Sequence, residues 1–348
     1  MATPMKIVHI NFGLETGGIE TMLVDILNEQ CAYATVYLLL INEQIDVNLI
    51  ATIDPRVVIL RIGRPKGSRN PLYITKLNAA LLRLKPDVVH CHNHQIARLL
   101  WGRTGRRYLT IHDVQVPTSY FGRYDKLFAI SDIVRQDVLQ RTGLDAYRIY
   151  NGIRTEAIVA RTAYTANEIF RIVQISRLQH NKKGQHILLN ALRELVYTYQ
   201  LTHLRVEFVG EGESRTYLQQ LTNDLGLNNY VTFAGLKTRA DLYQELQNYH
   251  LLVQPSLYEG FGLTVAEGMA AGVPVLVSAI DGPMELIDND RFGYSFPSGD
   301  AHQLAERIRG LVLDYESKAV RTMATSARQH ACTTFDVRQT ASRYLASY

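Results

Sequence analysis

Short apolar runs alternate with helical patterns along almost the whole chain, and this alternation constrains the fold more than any other feature. Apolar runs predict strands at 6–12, 35–41, 57–62, 87–92, 108–112, 126–130 and 148–150, and the alternation restarts at 170–175. Continuous apolar runs between helical patterns indicate strands buried on both faces, as in a parallel sheet with helical crossovers. The sequence therefore predicts an α/β protein with doubly wound sheets, in which ligands bind beyond the carboxyl ends of the strands.

The length of 348 residues favours two domains, at about 150 residues per domain. The stretch from Arg154 to Glu168 lacks an apolar period and is the candidate linker. We expect an N-terminal domain at 1–155, a C-terminal domain at 156–333 and a final amphipathic helix at 334–348.

The sequence contains no targeting signal that we identify. No apolar run approaches the roughly 20 residues of a membrane-spanning helix, and residues 1–12 predict a first strand rather than a signal peptide. The three cysteines are widely scattered, so neither a disulfide framework nor a cysteine-based zinc site is indicated. The expected compartment is the cytoplasm.

Positive charge is concentrated in the first half of the chain. Residues 1–155 carry 19 Lys and Arg against 13 Asp and Glu, whereas residues 156–348 carry 18 against 20. The basic residues form two clusters, Arg61, Arg64, Lys66 and Arg69, and Arg98, Arg103, Arg106 and Arg107. These clusters could meet a phosphorylated acceptor or the inner face of an anionic membrane, where each basic residue contributes about 1 kcal/mol; a solvated surface is the alternative. Nucleic acid is not expected, because no aromatic residues interleave with the arginines.

The stretch 251–275 predicts a buried strand, a loop and a helix from Leu263 to Ala271. Gly260 and Gly262 allow the backbone of the loop to approach a ligand, and the free N–H groups of the following helix end bind anions. Glu259 and Glu267 flank this segment, and each can accept hydrogen bonds from sugar hydroxyls. The pattern indicates a ligand with both phosphate and hydroxyl groups, although a surface glutamate and a helix-capping one in an ordinary βα unit remain the alternative.

The stretch from Glu259 to Val275 resembles the nucleotide-sugar signature of family 4 (group 1) glycosyltransferases, which are retaining enzymes with the glycosyltransferase B fold. The resemblance implies two doubly wound Rossmann-like domains that face a cleft, the first binding the acceptor and the second the nucleotide sugar. It implies that Glu259 holds hydroxyls of the donor sugar and Glu267 holds the ribose diol. Donor-binding residues in between would be Gly260, Phe261 and Gly262, with the backbone amides of Leu263, Thr264 and Val265 on the pyrophosphate.

Two cations bracket the loop between the strand 170–175 and the next helix. Arg177 offers a planar fork and Lys183 a point charge, and either can neutralise a diphosphate at a strand end. Ser176-Arg177-Leu178 followed by Lys183-Gly184 also matches the family, which implies that Arg177 and Lys183 stabilise the departing nucleoside diphosphate. Two surface cations are the alternative, and Lys182 has no role in this interpretation.

His112 closes the strand Tyr108-Leu109-Thr110-Ile111 and resembles the family's T-x-H-D strand end. By that resemblance His112 lies beside the anomeric carbon, orients the sugar and stabilises positive charge in the transition state; a neutral histidine with a satisfied hydrogen bond is the alternative. The residues 90–94 contain three further histidines, which could face a metal but are better interpreted as a strand end at the cleft. No metal and no cofactor are expected.

Three glycine-containing loops complete the predicted donor site. Gly17-Gly18 resembles the family's N-terminal glycine loop, which faces the donor phosphate and the acceptor; a turn that needs a positive φ is the alternative. Gly210 and Gly235 follow two strands of the second domain, and the resemblance places the base near Gly235, Leu236 and Lys237, largely through backbone groups.

These features predict a retaining, metal-independent hexosyltransferase that uses a nucleotide-diphosphate sugar, with a UDP-sugar such as UDP-glucose favoured and GDP-mannose second. The acceptor would be a saccharide or a lipid-linked molecule in the synthesis of a cell-surface polysaccharide or glycolipid. A nucleotide-sugar epimerase of the same architecture would need no acceptor, and a binding subunit would bind the nucleotide without turnover. A glycosidase is disfavoured, because its two carboxylates need no phosphate site.

Overall fold

The computed structural model describes residues 4–15, 17–165 and 168–348. These residues form two compact units, one that ends at Ile153 but also includes Asp336–Tyr348, and one that comprises Arg154–Phe335. Each unit contains one sheet in which all paired strands are parallel.

Within its described residues, the first unit has a seven-stranded sheet in the order β3-β2-β1-β4-β5-β6-β7. Its strands are β1 (Lys6–Asn11), β2 (Thr35–Asn42), β3 (Val58–Arg64), β4 (Val88–Cys91), β5 (Arg106–Ile111), β6 (Lys126–Ala129) and β7 (Tyr147–Arg148). The helices among them are α1 (Gly18–Gln30), α2 (Val47–Ala51), α3 (Pro71–Leu84) and α4 (Asp132–Thr142). The strand order reverses between β1 and β4, and this switch point is where doubly wound sheets bind ligands.

The second unit repeats the design with six strands in its described part, in the order β10-β9-β8-β11-β12-β13. They are β8 (Phe170–Ile175), β9 (Leu204–Val209), β10 (Val231–Gly235), β11 (Leu251–Gln254), β12 (Val275–Ser278) and β13 (Tyr294–Phe296). The helices are α5 (His180–Lys183), α6 (Gln185–Tyr197), α7 (Arg215–Asp224), α8 (Arg239–Glu245), α9 (Leu263–Ala270), α10 (Asp281–Leu286), α11 (Ala301–Leu313) and α12 (Lys318–Thr334). The switch point lies between β8 and β11, whose following loops carry the predicted residues Lys183 and Glu259.

Both sheets confirm the predicted α/β fold class. The predicted strands are present with small shifts at their ends, whereas α2, α7, α8 and α10 were not predicted. The predicted loop between the strand 170–175 and the next helix contains α5, a single helical turn.

The last helix, α13 (Val337–Ser347), packs against α1 in the first unit. The chain enters it through a parallel bridge between Ile153 and Asp336, and the Thr340 hydroxyl donates to the Tyr150 carbonyl at 2.9 Å. A Cβ on Gly152 would lie 2.5 Å from the Cα of Val337, so only glycine permits this close approach.

The candidate linker is held along the second unit by hydrogen bonds. The Val159 amide donates to the Tyr243 carbonyl at 3.0 Å, and the Arg161 amide donates to the Ala271 carbonyl at 2.8 Å. The Tyr164 side chain is buried, and its hydroxyl donates to the Gly272 carbonyl at 2.6 Å. The missing apolar period therefore reflects a segment that contains only the 3-10 turn Thr155–Ala157 and is held by both backbone and side-chain hydrogen bonds. Ala166 and Asn167 of the predicted linker lie outside the described residues.

A search of the described helices finds none that is long and apolar enough to cross a membrane.

Candidate functional site

The switch point of the second sheet brings Lys183 and Glu259 together, although they are 76 positions apart. Lys183 ends α5, and its Nζ donates to Glu259 Oε2; the two side chains are only 18% and 17% exposed. Gly184 makes this possible, because its φ of +68° turns the chain and a Cβ there would lie 1.8 Å from the Pro255 carbonyl oxygen. The structure thus joins two predicted catalytic residues in one largely buried ion pair.

The neighbouring cation Lys182, which had no role in the sequence interpretation, faces an aromatic ring. Its Nζ lies 4.7 Å from the centre of the Tyr258 ring, in cation–π geometry. Its carbonyl accepts a hydrogen bond from the Leu257 amide at 2.9 Å. Lys182 therefore fastens α5 to the loop that carries Glu259.

The Arg177 side chain is exposed, and among the described residues it makes no hydrogen bond or ion pair. Its backbone is fixed, because Gln185 Nε2 donates to its carbonyl at 2.9 Å and to Ser176 Oγ at 3.0 Å. The structure does not bring the guanidinium into contact with Lys183 or Glu259. An exposed planar cation therefore follows the end of the strand.

The segment from Gly260 to Val265 shapes the start of α9. Gly262 precedes the helix with a φ of +105°, and its carbonyl accepts the amides of Val265 at 3.0 Å and Ala266 at 3.2 Å. The amides of Leu263 and Thr264 have no acceptor in the described part of the chain, as expected at a helix start. Of the three predicted amides, those of Leu263 and Thr264 are available to an anion, whereas the Val265 amide already donates to the Gly262 carbonyl.

Phe261 anchors this loop instead of lining an open surface. Its side chain is 2% exposed, and its ring packs edge-on against Phe335 with a centroid distance of 5.6 Å. A Cβ on Gly282 would lie 2.4 Å from the Glu259 carbonyl oxygen, so the glycine of α10 supports the loop from the other side. The position of Glu259 is thus set by packing on both sides.

Glu267 has partners that the sequence analysis missed. The Tyr243 hydroxyl donates to Glu267 Oε1 at 3.1 Å, and Arg239 Nε lies 2.5 Å from that hydroxyl and 3.8 Å from the carboxylate. Tyr243 and Arg239 belong to α8, which was not predicted. The spacing of Arg239 and Tyr243, four residues apart and so on one face of a helix, was the sequence signal that could have indicated these partners of Glu267.

The predicted base site has mixed properties. Gly210 has a φ of +135°, and its amide donates to the Gly235 carbonyl at 2.8 Å, so the two glycine loops are joined. Leu236 is 71% exposed and open to a ligand. The Lys237 side chain is not open to a ligand, because its Nζ donates to the carboxylates of Glu207 and Glu245 at 2.6 Å each. The side chain of Lys237 therefore serves the internal packing of this unit.

In the first unit, His112 directly follows β5 and is half-buried. Burial lowers its pKa to about 4, so the imidazole is neutral at physiological pH. His112 lines a cavity of about 280 Å³ with His92, His94, Asp113, Val116 and other residues of this unit.

His9, His90 and His92 lie behind His112, with ligand nitrogens within 4.8 Å of one another. His9 and His90 face each other across β1 and β4 and are fully buried. Burial lowers the pKa of His9 to about 4 and the pKa values of His90 and His92 well below 6.5. Each of their six ring nitrogens already has a hydrogen-bond partner. The three histidines therefore form a neutral hydrogen-bonded array. A metal ion could bind their nitrogens only by displacing these hydrogen bonds.

The glycine pair at the start of α1 differs from the expected turn. Gly17 is extended, with a φ of −167°, and Gly18 is also outside the left-handed region. The Gly17 carbonyl accepts the Thr21 amide at 3.0 Å and the Thr21 hydroxyl at 2.7 Å. Neither glycine therefore supplies the turn of positive φ that was the alternative to a ligand-facing loop, and the neighbouring Ile19 is 37% exposed. Glycine here keeps the helix start free of side chains.

Two family models match the chain and together span most of it. A model for group 1 glycosyl transferases matches residues 164–330, and a model for glycosyltransferase family 4 matches residues 16–157. The chain belongs to the family 4 glycosyltransferases.

Curated relatives of this glycosyltransferase share about a quarter of its residues. The lipopolysaccharide core biosynthesis glycosyltransferase LpsD of Rhizobium meliloti is 27% identical over 316 residues, which cover 88% of either chain. An uncharacterized glycosyltransferase of Methanocaldococcus jannaschii is also 27% identical, over 59% of this chain and 61% of that relative. The match with this chain thus spans only about three fifths of the length of the Methanocaldococcus jannaschii protein.

Solved structures establish the fold of this glycosyltransferase. The Anabaena protein HepE, crystallised with UDP and glucose, superposes with a TM-score of 0.82 at 22% identity and covers 99% of both chains. The two Rossmann-like sheets therefore form the glycosyltransferase B fold, as the sequence predicted.

Proposed function

We propose that this glycosyltransferase transfers a hexose from a UDP-sugar, such as UDP-glucose, to a hydroxyl group of a saccharide or lipid-linked acceptor. GDP-mannose is the second candidate donor. The observation that carries the proposal is the buried pair of Lys183 and Glu259 in the loop that leads into α9. A cation, a carboxylate and free helix amides in one place suit a ligand that combines a diphosphate with a sugar.

The reaction proposed for this site breaks the bond between the anomeric carbon and the diphosphate oxygen. A new bond forms between that carbon and the acceptor oxygen, with retention of the anomeric configuration. The proton of the acceptor hydroxyl passes to an oxygen of the departing diphosphate, so the step needs no protein base and no metal. Lys183, Arg177 and the amides of Leu263 and Thr264 stabilise the negative charge that develops on the diphosphate.

The ion pair gives Glu259 and Lys183 complementary roles. Without donor, each side chain neutralises the other. When a diphosphate binds Lys183, it competes with Glu259, whose carboxylate then accepts hydrogen bonds from the hydroxyls of the sugar. Glu259 is therefore proposed as a positioning group and Lys183 as an electrostatic one.

Four further residues are proposed to contact the donor, three in the second unit and one in the first. Glu267, fixed by Tyr243, is proposed to hold the ribose diol. The exposed Leu236 and the backbone of Gly235 are proposed to meet the base. His112 of the first unit is proposed to orient the sugar.

The names of the similar proteins support the choice of donor and acceptor. HepE was solved with UDP and glucose, and LpsD is named for lipopolysaccharide core biosynthesis. We therefore place this enzyme in the synthesis of a cell-surface polysaccharide or glycolipid.

A cytoplasmic enzyme with a lipid-linked acceptor would work at the inner face of the membrane. In the first unit, Arg61, Lys66 and Arg69 are exposed, and Trp101 is 55% exposed. Cosedimentation with anionic vesicles but not with zwitterionic ones, lost when the three cations are replaced by Gln, is the expected result. If the protein cosediments with neither kind of vesicle, the proposed contact with the membrane is wrong.

The decisive experiment measures release of nucleoside diphosphate from a panel of UDP-, GDP- and ADP-sugars, with and without candidate acceptors. Wild type should release UDP from one donor in an acceptor-dependent way. Lys183→Ala should lose at least about 100-fold in kcat, the size seen when one charge-stabilising donor is removed. Glu259→Ala should also lose activity, because the sugar is no longer positioned. Arg177→Ala should lose activity in the same direction.

Arg193→Ala is the matched control, because Arg193 is an exposed cation on α6 of the same unit with no place in the proposed site. It should keep wild-type activity. Sugar isomerisation without diphosphate release would indicate the epimerase instead. Tight donor binding without turnover by any acceptor would indicate a binding subunit.

A further inference from the structure

A line of hydrogen bonds connects His112 with the interior of the first unit. His112 Nε2 lies 3.3 Å from His92 Nδ1, and His92 Nε2 lies 3.0 Å from His9 Nδ1. The line ends on α1, where His9 Nε2 lies 2.8 Å from Gln30 Oε1. Gln30 and His9 are fully buried and His92 is 6% exposed. A side chain at the cavity is thus coupled to α1 through His9 of β1 and His92, which directly follows β4.

Hydrogen-bond chemistry fixes the proton positions along this line. A neutral imidazole carries one N–H and one bare nitrogen, so it donates on one side and accepts on the other. The amide oxygen of Gln30 can only accept, and His9 must therefore donate from Nε2 and accept at Nδ1. His92 then donates from Nε2 to His9 and accepts at Nδ1. By the same rule His112 donates from Nε2, and its Nδ1 carries no proton.

The Gln30 amide sets the direction of the line, because it presents Oε1 to His9, while its Nε2 is buried without a hydrogen-bond partner among the described residues. His90 lies beside the line without joining it. Its Nδ1 lies 2.5 Å from the Tyr348 hydroxyl, and its Nε2 lies 2.7 Å from the Thr110 hydroxyl.

The Nδ1 of His112 is the open end of the line. This nitrogen is buried and has no hydrogen-bond partner within the described chain. A buried acceptor without a donor is unfavourable, and a hydroxyl group bound in the adjoining cavity would satisfy it.

We propose that Gln30, His9 and His92 are positioning residues that lock His112 in one tautomer, so that its bare Nδ1 accepts a hydrogen bond from a hydroxyl of the bound substrate. The identity of that hydroxyl, on a sugar, rests on the proposed function. The tautomer itself does not, because it follows from contacts inside the first unit.

The test is nuclear magnetic resonance of the full chain with ¹⁵N-labelled histidine at neutral pH, with the His112 signals identified from a His112→Asn variant. Wild type should show an unprotonated Nδ1 and a protonated Nε2 at His112. Gln30→Met removes the acceptor at similar length and should give a mixture of tautomers, with about a tenfold loss in kcat/KM where turnover is measurable, the size of one lost hydrogen bond.

His90→Gln is the matched control. His90 is as buried as His9 and its ring stacks on His92 at 4.5 Å, but its nitrogens bond to groups outside the line. His94→Gln, at the same cavity, is a second control if that variant does not fold. Both should leave the tautomer of His112 unchanged.

Either of two results would refute the proposal. The first is a proton on Nδ1 of His112 in the wild type, and the second is the same single tautomer of His112 in Gln30→Met as in the wild type. The first measurement stands even if Gln30→Met fails to fold. A fixed tautomer in an enzyme without transferase activity would refute only the proposed function.

Discussion

Breaking the ion pair between Lys183 and Glu259 should destabilise the protein even without substrate. Lys183→Met removes the charge and keeps most of the side-chain length, and it leaves the Glu259 carboxylate 17% exposed with its cation gone. Removing one partner of a fully buried pair costs about 3 to 5 kcal/mol, whereas an exposed pair contributes about 0 to 1 kcal/mol. At this exposure we expect a loss of about 2 to 3 kcal/mol in the free energy of unfolding.

The assay is a double-mutant cycle by urea denaturation, with Lys183→Met, Glu259→Gln and the double variant. The double variant should be more stable than the sum of the single losses predicts, by a coupling energy of about 2 kcal/mol. Equal m-values across the four proteins would show that the same surface is exposed on unfolding.

Arg215 and Glu211 provide the control cycle, because this pair lies in the same unit but is 34% and 41% exposed. Its coupling energy should stay below about 0.5 kcal/mol. The reasoning is refuted if the two cycles give the same small coupling, since burial would then contribute nothing to the Lys183 pair.

Three further predictions concern stability. The pKa of His9 is about 4 in the folded protein and 6.5 in the unfolded chain, so the unfolded chain binds more protons between these values. The free energy of unfolding should therefore fall by about 1.4 kcal/mol per pH unit for each such histidine as the pH drops from 6.5 towards 4. Equal urea midpoints at pH 7.5 and pH 5 would contradict this. Gly184→Ala should lower the free energy of unfolding by about 3 kcal/mol, because the φ is positive and the new Cβ clashes with the Pro255 carbonyl. Gly143→Ala should lower it by about 1 kcal/mol, because its φ of +72° is also positive but the space around it is open. Equal shifts in Tm for the two variants would contradict the predicted effect of the clash. Tyr164→Phe should cost about 1 to 2 kcal/mol through its lost buried hydrogen bond, and an unchanged Tm would show that the linker anchor is not stabilising.

The sequence alone determined the strands, the fold class and the residue types of the candidate donor site. Apolar runs and helical periods are local, so they appear in the sequence as they do in the structure, with ends shifted by one or two residues. The glycines before α9 and the cation after β8 could be found in the same way, because loops at strand ends keep the residue types that a diphosphate requires. Family membership was also visible in these motifs.

Tertiary structure decided which side chains meet. Lys183 meets Glu259 only because β8 and β11 are neighbours at the switch point. The Lys237 side chain forms an internal ion pair for the same kind of reason, whereas the predicted backbone contact of this residue with a base stays a prediction. The line from Gln30 to His112 needs β1, β4 and β5 side by side with α1 against them. Strand order and helix packing are long-range properties, and a local pattern in the sequence does not carry them.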